Sequence, residues 1–499
     1  MVPLREIALP SNWETTSLGL ICDLINGDRG KNYPGRKALA RDGIPFVNAG
    51  DLEEGRISTA RLGYISQETF DLLRSGKFVL GDILYCIRGS LGKAAFNHSL
   101  DTGAIASSLI IVRPNRALAP KYVFYYLLSP LAQGMIAKFD NGTAQPNLSG
   151  ADLARFEVPI PDRTTQERIV VKLEELFSEL DKGVESWVAA REQLKAYRRA
   201  VIKYAFEGKL TIDWRRENEA SIESAAEIAA RVRAECSSDD GFSEARINAP
   251  NTLADSCGWT IVTVGAVTAD ALIGLVRSSQ KQNGAGNGVS YIKMDRLDMK
   301  GRVSVSATVF VDASSHEIEK YRVRKGDLLF NTRNSLELVG KTALVRSEPS
   351  SPTVFNNNLM RIRLIPSAVP AFINYQMCGP SFRSKMERVK KATTSVAAVY
   401  GKDLWQLPLV LPSLSEQAAI VRILDERLSV VDAQLADIEN NLRRTDTLRR
   451  SILLKAFSGS LVRQGSSDES ASALLDRIRS RQNAGASTRA RKRREQEVA

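Results

Sequence analysis

The chain has 499 residues, of which 43% are hydrophobic, and a formal net charge of +12. Its length predicts about three or four domains, and no apolar run reaches the ~18 residues of a transmembrane helix. The N-terminus lacks a signal-peptide core, so we expect a cytoplasmic protein without a membrane partner. The five cysteines never form a CxxC pair, which predicts reduced thiols and no disulfide or metal site.

The first 162 residues alternate short apolar runs with turn residues, which indicates a β-rich globular block. Strands are expected at 44–48, 82–86 and 109–112, followed by one helix from Lys121 to Ala137. The same order returns in the second half of the chain. Gly81-Asp82 returns as Gly326-Asp327, and Trp13 returns as Trp259.

A long helical stretch follows each block. We predict that capping boxes open these stretches, pairing Thr164 with Glu167 and Ser413 with Glu416. Apolar residues then recur every three or four positions, without a proline, to Phe206 and Phe457. Gly208 and Gly459 predict C-terminal caps, which gives two helices of roughly 40 residues and 60 Å.

The two apolar stripes match in period and length, which favours pairing of the helices as a coiled coil. Packing of each helix along its own block is the alternative. The predicted fold class is α+β, with two pseudo-repeated globular α/β domains separated by two long antiparallel coiled-coil helices. The predicted boundaries are a first globular domain at 1–162, a central helical spacer at 163–236, a linker at 237–256, a second globular domain at 257–412, a C-terminal helical spacer at 413–482 and a basic disordered tail at 483–499.

Catalytic motifs are missing from the sequence. The two histidines, His98 and His316, are far apart in sequence, and neither has a second histidine near it. Gly340-Lys341-Thr342 ends like a Walker A loop, but Ser335 stands where that loop requires its first glycine. We therefore predict no catalytic residue and no metal site in this chain.

Four features stand in the same order in both halves, although the second copy of one of them differs in sequence. They are the Gly-Asp strand, the segment at 143–148 (TAQPNL), a Pro-x-Pro run before a Gln-Glu helix, and the ending Ala-Phe-x-Gly-x-Leu. Together they resemble the specificity (S) subunit of Type I restriction–modification enzymes over nearly the whole chain. One segment departs from the pattern, because residues 394–399 (TSVAAV) lack the Gln, Pro and Asn of the first copy.

The resemblance implies two target-recognition domains that each read one half of a split double-stranded DNA sequence. It implies that the helices dock two modification (methyltransferase) subunits, with restriction subunits as further partners. S-adenosylmethionine would lie on the modification subunits, and ATP and Mg on the restriction subunit, with no cofactor in this chain. The chain would then be a non-catalytic specificity subunit.

Two alternatives stay open at this point. One is a coiled-coil scaffold without sequence-specific DNA binding, and the other is an enzyme such as a nuclease. Residues 251–412 hold 21 basic and 12 acidic side chains, a net charge of +9, which favours a polyanionic partner.

Candidate site residues follow from the repeat and the resemblance. Arg, Lys, Asn and Gln are the residue types that contact phosphates and base edges. We predict DNA binding by Arg88, Lys93, Gln145, Asn147, Arg333, Lys341, Lys390 and Lys391. We predict partner binding by Arg198, Arg199, Phe206, Arg449, Arg450 and Phe457, although the two phenylalanines are equally explained as core residues at the end of the coil.

Overall fold

The computed structural model describes residues 8–480 except 31–32, 36–38, 141–145, 237–254, 256, 285, 306–307, 393–395, 464 and 466–469. The chain forms two compact units, a first unit of residues 1–188 and 439–499 and a second unit of residues 189–438. Each unit combines one globular block with part of both long helices, so the units cut across the predicted domains. The predicted tail lies outside the described residues, as does the predicted linker apart from Asp255.

The globular block of the first unit is built on two four-stranded sheets. One sheet has the order β2-β11-β8-β9 and is antiparallel, and the other has the order β6-β3-β10-β7 with β3 and β10 parallel. The strands are β1 (Glu14–Ser17), β2 (Cys22–Asn26), β3 (Ile44–Val47), β4 (Leu52–Glu53), β5 (Arg56–Ile57), β6 (Gly63–Ile65), β7 (Lys77–Val79), β8 (Ile83–Cys86), β9 (Ala94–Phe96), β10 (Thr102–Ile105), β11 (Leu109–Pro114) and β12 (Glu157–Ile160). The helices of the block are α1 (Leu18–Ile21), α2 (Gln67–Leu72), α3 (Pro120–Leu128), α4 (Pro130–Phe139) and α5 (Gly150–Ala154).

The globular block of the second unit repeats this plan. Its sheets have the orders β14-β22-β18-β20, which is antiparallel, and β15-β17-β16-β21, in which β16 and β21 are parallel. The strands are β13 (Thr260–Thr263), β14 (Thr268–Ile273), β15 (Gln282–Asn283), β16 (Val289–Ile292), β17 (Phe310–Val311), β18 (Leu328–Asn331), β19 (Arg333–Asn334), β20 (Thr342–Leu344), β21 (Thr353–Phe355), β22 (Leu359–Leu364), β23 (Lys391–Ala392), β24 (Ala397–Ala398) and β25 (Pro408–Leu411). Its helices are α9 (Ser315–Tyr321), α10 (Pro370–Cys378), α11 (Pro380–Glu387) and α12 (Gly401–Leu404).

The remaining helices lie outside the two blocks. They are α6 (Arg163–Phe206), α7 (Ile212–Glu217), α8 (Ala225–Cys236) and α13 (Leu414–Phe457), with a further helix at residues 471–480. We call α6 and α13 the long helices. Among the described residues, no helix is both long and apolar enough to cross a membrane.

The repeated Gly-Asp motif has a structural explanation. Gly81 and Gly326 have φ angles of +86° and +93°, a conformation that favours glycine. The following aspartate is buried in both blocks and binds an arginine of the neighbouring strand, at 2.7 Å for Asp82 and Arg113 and at 2.8 Å for Asp327 and Arg363. This hydrogen bond raises the pKa of Arg113 above its ordinary value. The motif therefore joins two strands of the antiparallel four-stranded sheet of each block, which we call the central sheet.

The single helix predicted from Lys121 to Ala137 is wrong, because the chain forms two helices there, α3 and α4. Pro130 lacks the N–H that a continuous helix needs and disfavours helical geometry at the residue before it. Ser129 instead caps the second helix, since its hydroxyl accepts from the N–H of Ala132 at 3.4 Å. The second block divides at the same point, before Pro380.

Each long helix has 44 residues, which confirms the predicted length. The predicted cap of the second is confirmed in part, since Ser413 accepts from the N–H of Glu416 at 3.3 Å. The predicted cap of the first is wrong, because α6 begins at Arg163 and Asp162 accepts from the N–H of Thr165 at 3.0 Å. An aspartate serves as well as a threonine at this position.

The long helices pair through two equivalent ion pairs. In the first unit Arg449 binds Asp181, and in the second unit Arg198 binds Asp432 at 3.0 Å. The two residue numbers add to 630 in both pairs, as antiparallel helices require. This confirms the predicted antiparallel coiled coil.

One glutamine near the start of each long helix attaches the helix to its own block. Gln166 accepts from the N–H of Ala119 at 3.0 Å, and Gln417 accepts from the N–H of Val369 at 2.8 Å. Both amides are fully buried. A buried amide that lost these partners would cost about 1–3 kcal/mol, so the two contacts fix where each helix begins on its block.

Candidate functional site

In the central sheet of each block, matched loops meet at one end of the strands. In the first block, the end of β2, the start of β11 and the end of β8 lie together, because Asn26 pairs with Ile110 and Cys86 with Leu109. In the second block, Ile273 pairs with Met360 and Asn331 with Leu359. We call this side of the sheet, where the ends of these strands and their loops lie together, the loop edge.

Arg88 lies at the loop edge of the first block, immediately after β8. Its side chain is exposed, and its backbone forms an isolated antiparallel bridge with Asn147. The Nε–H of Arg88 donates to Oδ1 of Asn147 at 3.2 Å. The N–H of Leu148 donates to the carbonyl of Ile87 at 2.9 Å, so the two loops are joined along their backbones.

Arg333 occupies the equivalent position in the second block. It begins β19, is exposed, and pairs with Ala398 of β24. The N–H of Val399 donates to the carbonyl of Thr332 at 3.0 Å, which repeats the Leu148 contact of the first block. The structure therefore brings Arg88 and Arg333 to matched places, as the repeat predicts.

A cavity of about 420 Å³ lies beside Arg88 at the loop edge of the first block. Its lining is mostly polar and comprises Asn26, Gly27, Arg29, Arg88, Asn147, Leu148, Ser149 and Gly150. Two exposed guanidinium groups near amide and hydroxyl side chains suit an anionic, hydrogen-bonding ligand. A site of this size and chemistry can take a phosphate or the edge of a base.

Sequence reasoning missed Arg29 and Asn26. A signal was present, because Gly27 in the first block matches Gly274 in the second. A Cβ on Gly27 would lie 2.7 Å from the carbonyl oxygen of Ala106, and one on Gly274 would lie 2.3 Å from that of Asn356. Only glycine fits against the neighbouring loop at both positions, so this match marks the loop edge in the sequence.

The other predicted DNA contacts have different environments. Lys391 is exposed, with its ammonium group 3.3 Å from Asp403 and above the ring of Tyr400. Lys93 is half-buried and donates to the carbonyl of Ala49 at 3.2 Å. Gln145 lies outside the described residues.

Lys341 and Lys390 do not offer their charge to a ligand. The Lys341 ammonium is buried and donates to the carbonyl of Leu297 at 3.1 Å. The Lys390 side chain is 5% exposed and donates to the carbonyl of Leu336 and to Glu387. We therefore leave both lysines out of the functional site.

Three of the predicted partner-binding residues make contacts within the chain. Arg198 and Arg449 hold the ion pairs of the coil, and burial lowers the pKa of Arg198. Phe457 is fully buried, with its ring centroid 5.1 Å from that of Tyr122. These three side chains therefore already have partners within the chain. Phe457 lies where the alternative interpretation placed it, in the core at the end of the coil.

Three of these residues stay accessible. Arg199 and Arg450 are exposed on the long helices. Phe206 is half-buried, 5.2 Å from Phe372 between ring centroids, and it lines a cavity of about 700 Å³ in the second unit.

Sequence reasoning also missed an apolar neighbour of each exposed arginine. Tyr197 is 46% exposed and Leu448 is 43% exposed, and they are equivalent positions of the two long helices. We call Tyr197 with Arg199, and Leu448 with Arg450, the two helix patches.

The family model that describes a Type I restriction modification DNA specificity domain matches residues 10–187 and 276–443 of this chain. The chain belongs to this family. The first stretch contains the loop edge of the first block and the start of α6. The second contains Arg333, the β18 and β22 part of the second loop edge, and the start of α13. The family model therefore recognises the same repeat that the sheets and helices show.

Two relatives are similar to this chain over most of their length. The EcoKI specificity subunit of Escherichia coli (strain K12) is 25% identical over 495 residues, covering 97% of this chain and 98% of the relative. The StySPI specificity subunit of Salmonella potsdam is 23% identical over 489 residues, covering 94% and 96%. Among solved structures, a chain from a study of complex assembly and conformational transition of the type I R-M system matches with a TM-score of 0.64, at 20% identity, over 91% of this chain and 99% of that chain. This likeness in structure supports the fold described above.

Proposed function

We propose that this chain is the DNA-recognition subunit of a Type I restriction–modification complex and reads a split target, one half with each globular block. Membership of the specificity family supports this function. The observation that carries it is the repeated loop edge, where Arg88 and Arg333 lie exposed at equivalent positions. A protein that reads two half-sites needs two such surfaces.

The partners and cofactors follow from the same proposal. Two modification subunits dock on the long helices and carry S-adenosylmethionine, and restriction subunits carry ATP and Mg. The chain itself acts in the cytoplasm, holds no cofactor and is non-catalytic. The scaffold alternative lacks support of its own, because it gives no reason for two exposed arginines at matched sheet edges.

Replacing Arg88 or Arg333 by alanine should weaken DNA binding by about tenfold or more, because an arginine that contacts a base edge contributes about 1–3 kcal/mol. A gel-shift titration of the complex with its modification subunits on target DNA measures this. Lys325→Ala is the matched control. Lys325 is exposed near the opposite end of β18, and its replacement by alanine also removes one positive charge. Equal weakening by all three variants would mean that the loop edge has no special role.

The purified chain alone should show no nuclease, methyltransferase or ATPase turnover. The reason is the lack of catalytic motifs in the sequence, and His98 and His316 are both exposed. Activity assays across the gel-filtration peak, with and without S-adenosylmethionine, ATP and Mg²⁺, test this. Turnover that follows the protein through the column would contradict the non-catalytic assignment.

The helix patches should each hold one modification subunit. Tyr197→Asp or Leu448→Asp places a charge on the exposed apolar side chain beside Arg199 or Arg450, and each variant should form complexes with one modification subunit in place of two. Native mass spectrometry counts the subunits. Val430→Asp is the control, because Val430 is 56% exposed on a long helix but belongs to neither patch. A patch variant that keeps two bound subunits would exclude that patch.

A further inference from the structure

The two loop edges differ at one position in a way that bears on base recognition. In the first block the residue beside the arginine is Asn147, and in the second block it is Ala398. The backbone pairing of the two positions is the same. At this paired position, the first block therefore supplies a side-chain acceptor and the second block a methyl group.

The contact to Asn147 uses the arginine in a specific way. Asn147 Oδ1 accepts from Nε of Arg88, while the two terminal amino groups of Arg88 make no hydrogen bond within the described residues. Those two groups are the donors that an end-on guanidinium presents to a pair of acceptors. In the major groove, O6 and N7 of guanine form such a pair, and arginine is their commonest partner.

Asn147 is itself held in place by the surrounding loops. Its backbone N–H donates to Oδ1 of Asp140 at 3.0 Å. Backbone hydrogen bonds flank the Arg88–Asn147 pair, because the N–H of Leu148 donates to the carbonyl of Ile87 and the N–H of Gly89 donates to the carbonyl of Pro146 at 3.1 Å. The acceptor that fixes the Arg88 side chain is therefore attached to the fold through backbone contacts.

Arg333 has no such support. Its neighbour Ala398 ends in a methyl group, and the Arg333 guanidinium makes no hydrogen bond within the part of the chain that the structure describes. An unrestrained arginine loses side-chain conformational entropy when it is ordered on a ligand, which opposes binding. A side chain that is already held in its bound geometry avoids part of this cost.

We propose that Asn147 is a positioning residue, which orients Arg88 to read a guanine in the first half-site, and that the second block lacks this device. This inference rests on the proposed function. It predicts that the base preference at one position of the first half-site is sharper than that given by Arg333 in the second.

The test exchanges the two residues. Complexes with modification subunits carry Asn147→Ala, Ala398→Asn or Arg88→Ala, and binding is measured on target DNA with each base at each half-site position. Asn147→Ala should reduce the preference for guanine by about five- to tenfold at the position that Arg88→Ala also affects. Preferences in the second half-site should not change. Ala398→Asn should sharpen the preference at one position of the second half-site.

A conservative variant separates orientation from folding. Asn147→Asp keeps an oxygen acceptor for Nε–H, so it should retain the guanine preference that Asn147→Ala loses, with thermal melting of all variants near that of the wild type. Equal weakening of Asn147→Ala on all four bases would overturn the inference, because it would give Arg88 a phosphate contact only. An effect at a different position from Arg88→Ala would also overturn it. A wild-type complex without any base preference would instead refute the proposed function.

Discussion

Replacing Phe457 by alanine should lower the free energy of unfolding of the first unit by about 3–5 kcal/mol, as expected when a buried phenylalanine is lost from a core. Phe457 ends α13 and is fully buried against the globular block. Its ring centroid lies 5.1 Å from that of Tyr122 and 5.7 Å from that of Tyr126. The aromatic rings of α3 and the end of α13 thus form one packed cluster.

Phe206 is the matched control for this substitution. It ends α6 at the equivalent position, but it is half-buried and lines the cavity of about 700 Å³. The second block has Gln376 where the first has Tyr126, and so a ring is missing from the cluster. Phe206→Ala should therefore cost clearly less than Phe457→Ala, because part of its surface is already in contact with solvent.

Hydrogen exchange measured by mass spectrometry resolves the two units. Peptides from 118–128 should lose protection in Phe457→Ala, while peptides from 368–378 should keep it. In Phe206→Ala the peptides from 368–378 should lose protection, by a smaller amount, and those from 118–128 should keep it. Equal loss of protection in the two variants would show that the difference in burial does not determine the stability of these ends of the coil.

The sequence predicted the repeat and the long helices because both depend on local patterns. Apolar spacing and the helix-ending glycines need no knowledge of the tertiary structure. Gly208 and Gly459 indeed have φ angles of +68° and +77°, in the left-handed region. The matched Gly-Asp motifs likewise identified equivalent strands in the two blocks.

The candidate site was predicted less well, because side-chain burial depends on contacts far away in the sequence. Lys341 looks like an exposed loop lysine, yet its ammonium bonds to the carbonyl of Leu297, 44 residues earlier. In the second unit, Glu416 was predicted to complete a capping box, but its buried carboxylate binds Arg215 at 2.6 Å and the indole N–H of Trp259 at 3.0 Å. No local pattern reports such partners.

Inserting four residues into each long helix, after Ala189 and after Asn440, should lengthen the gap between the two half-sites of the DNA target. The insertion points lie midway between the ion pairs Asp181–Arg449 and Arg198–Asp432. Both helices must receive the insertion, because antiparallel helices of unequal length could not keep these pairs in register. The expectation is that helix length determines the gap, since the long helices have equal lengths of 44 residues while loops in the two blocks differ.

The size of the change follows from helix geometry. Four residues add about 6 Å and turn the helix by about 400°, a net rotation of about 40°. A rise of 6 Å corresponds to one or two base-pair steps of about 3.4 Å. The rotation is closest to a single step, because B-DNA turns once in about 10–10.5 base pairs. We therefore expect a gap that is longer by one base pair, with the bases of both half-sites unchanged.

Sequencing of methylated positions in cells that carry the variant and its modification subunits measures the gap and the half-sites together. The control inserts the same four residues after Ser350, in an exposed bend of the second block, and should leave the gap unaltered. If the helix insertion leaves the gap unchanged, or alters the half-site bases, the long helices do not determine the spacing. A longer gap with intact half-sites would assign spacing to the helices and base reading to the two blocks.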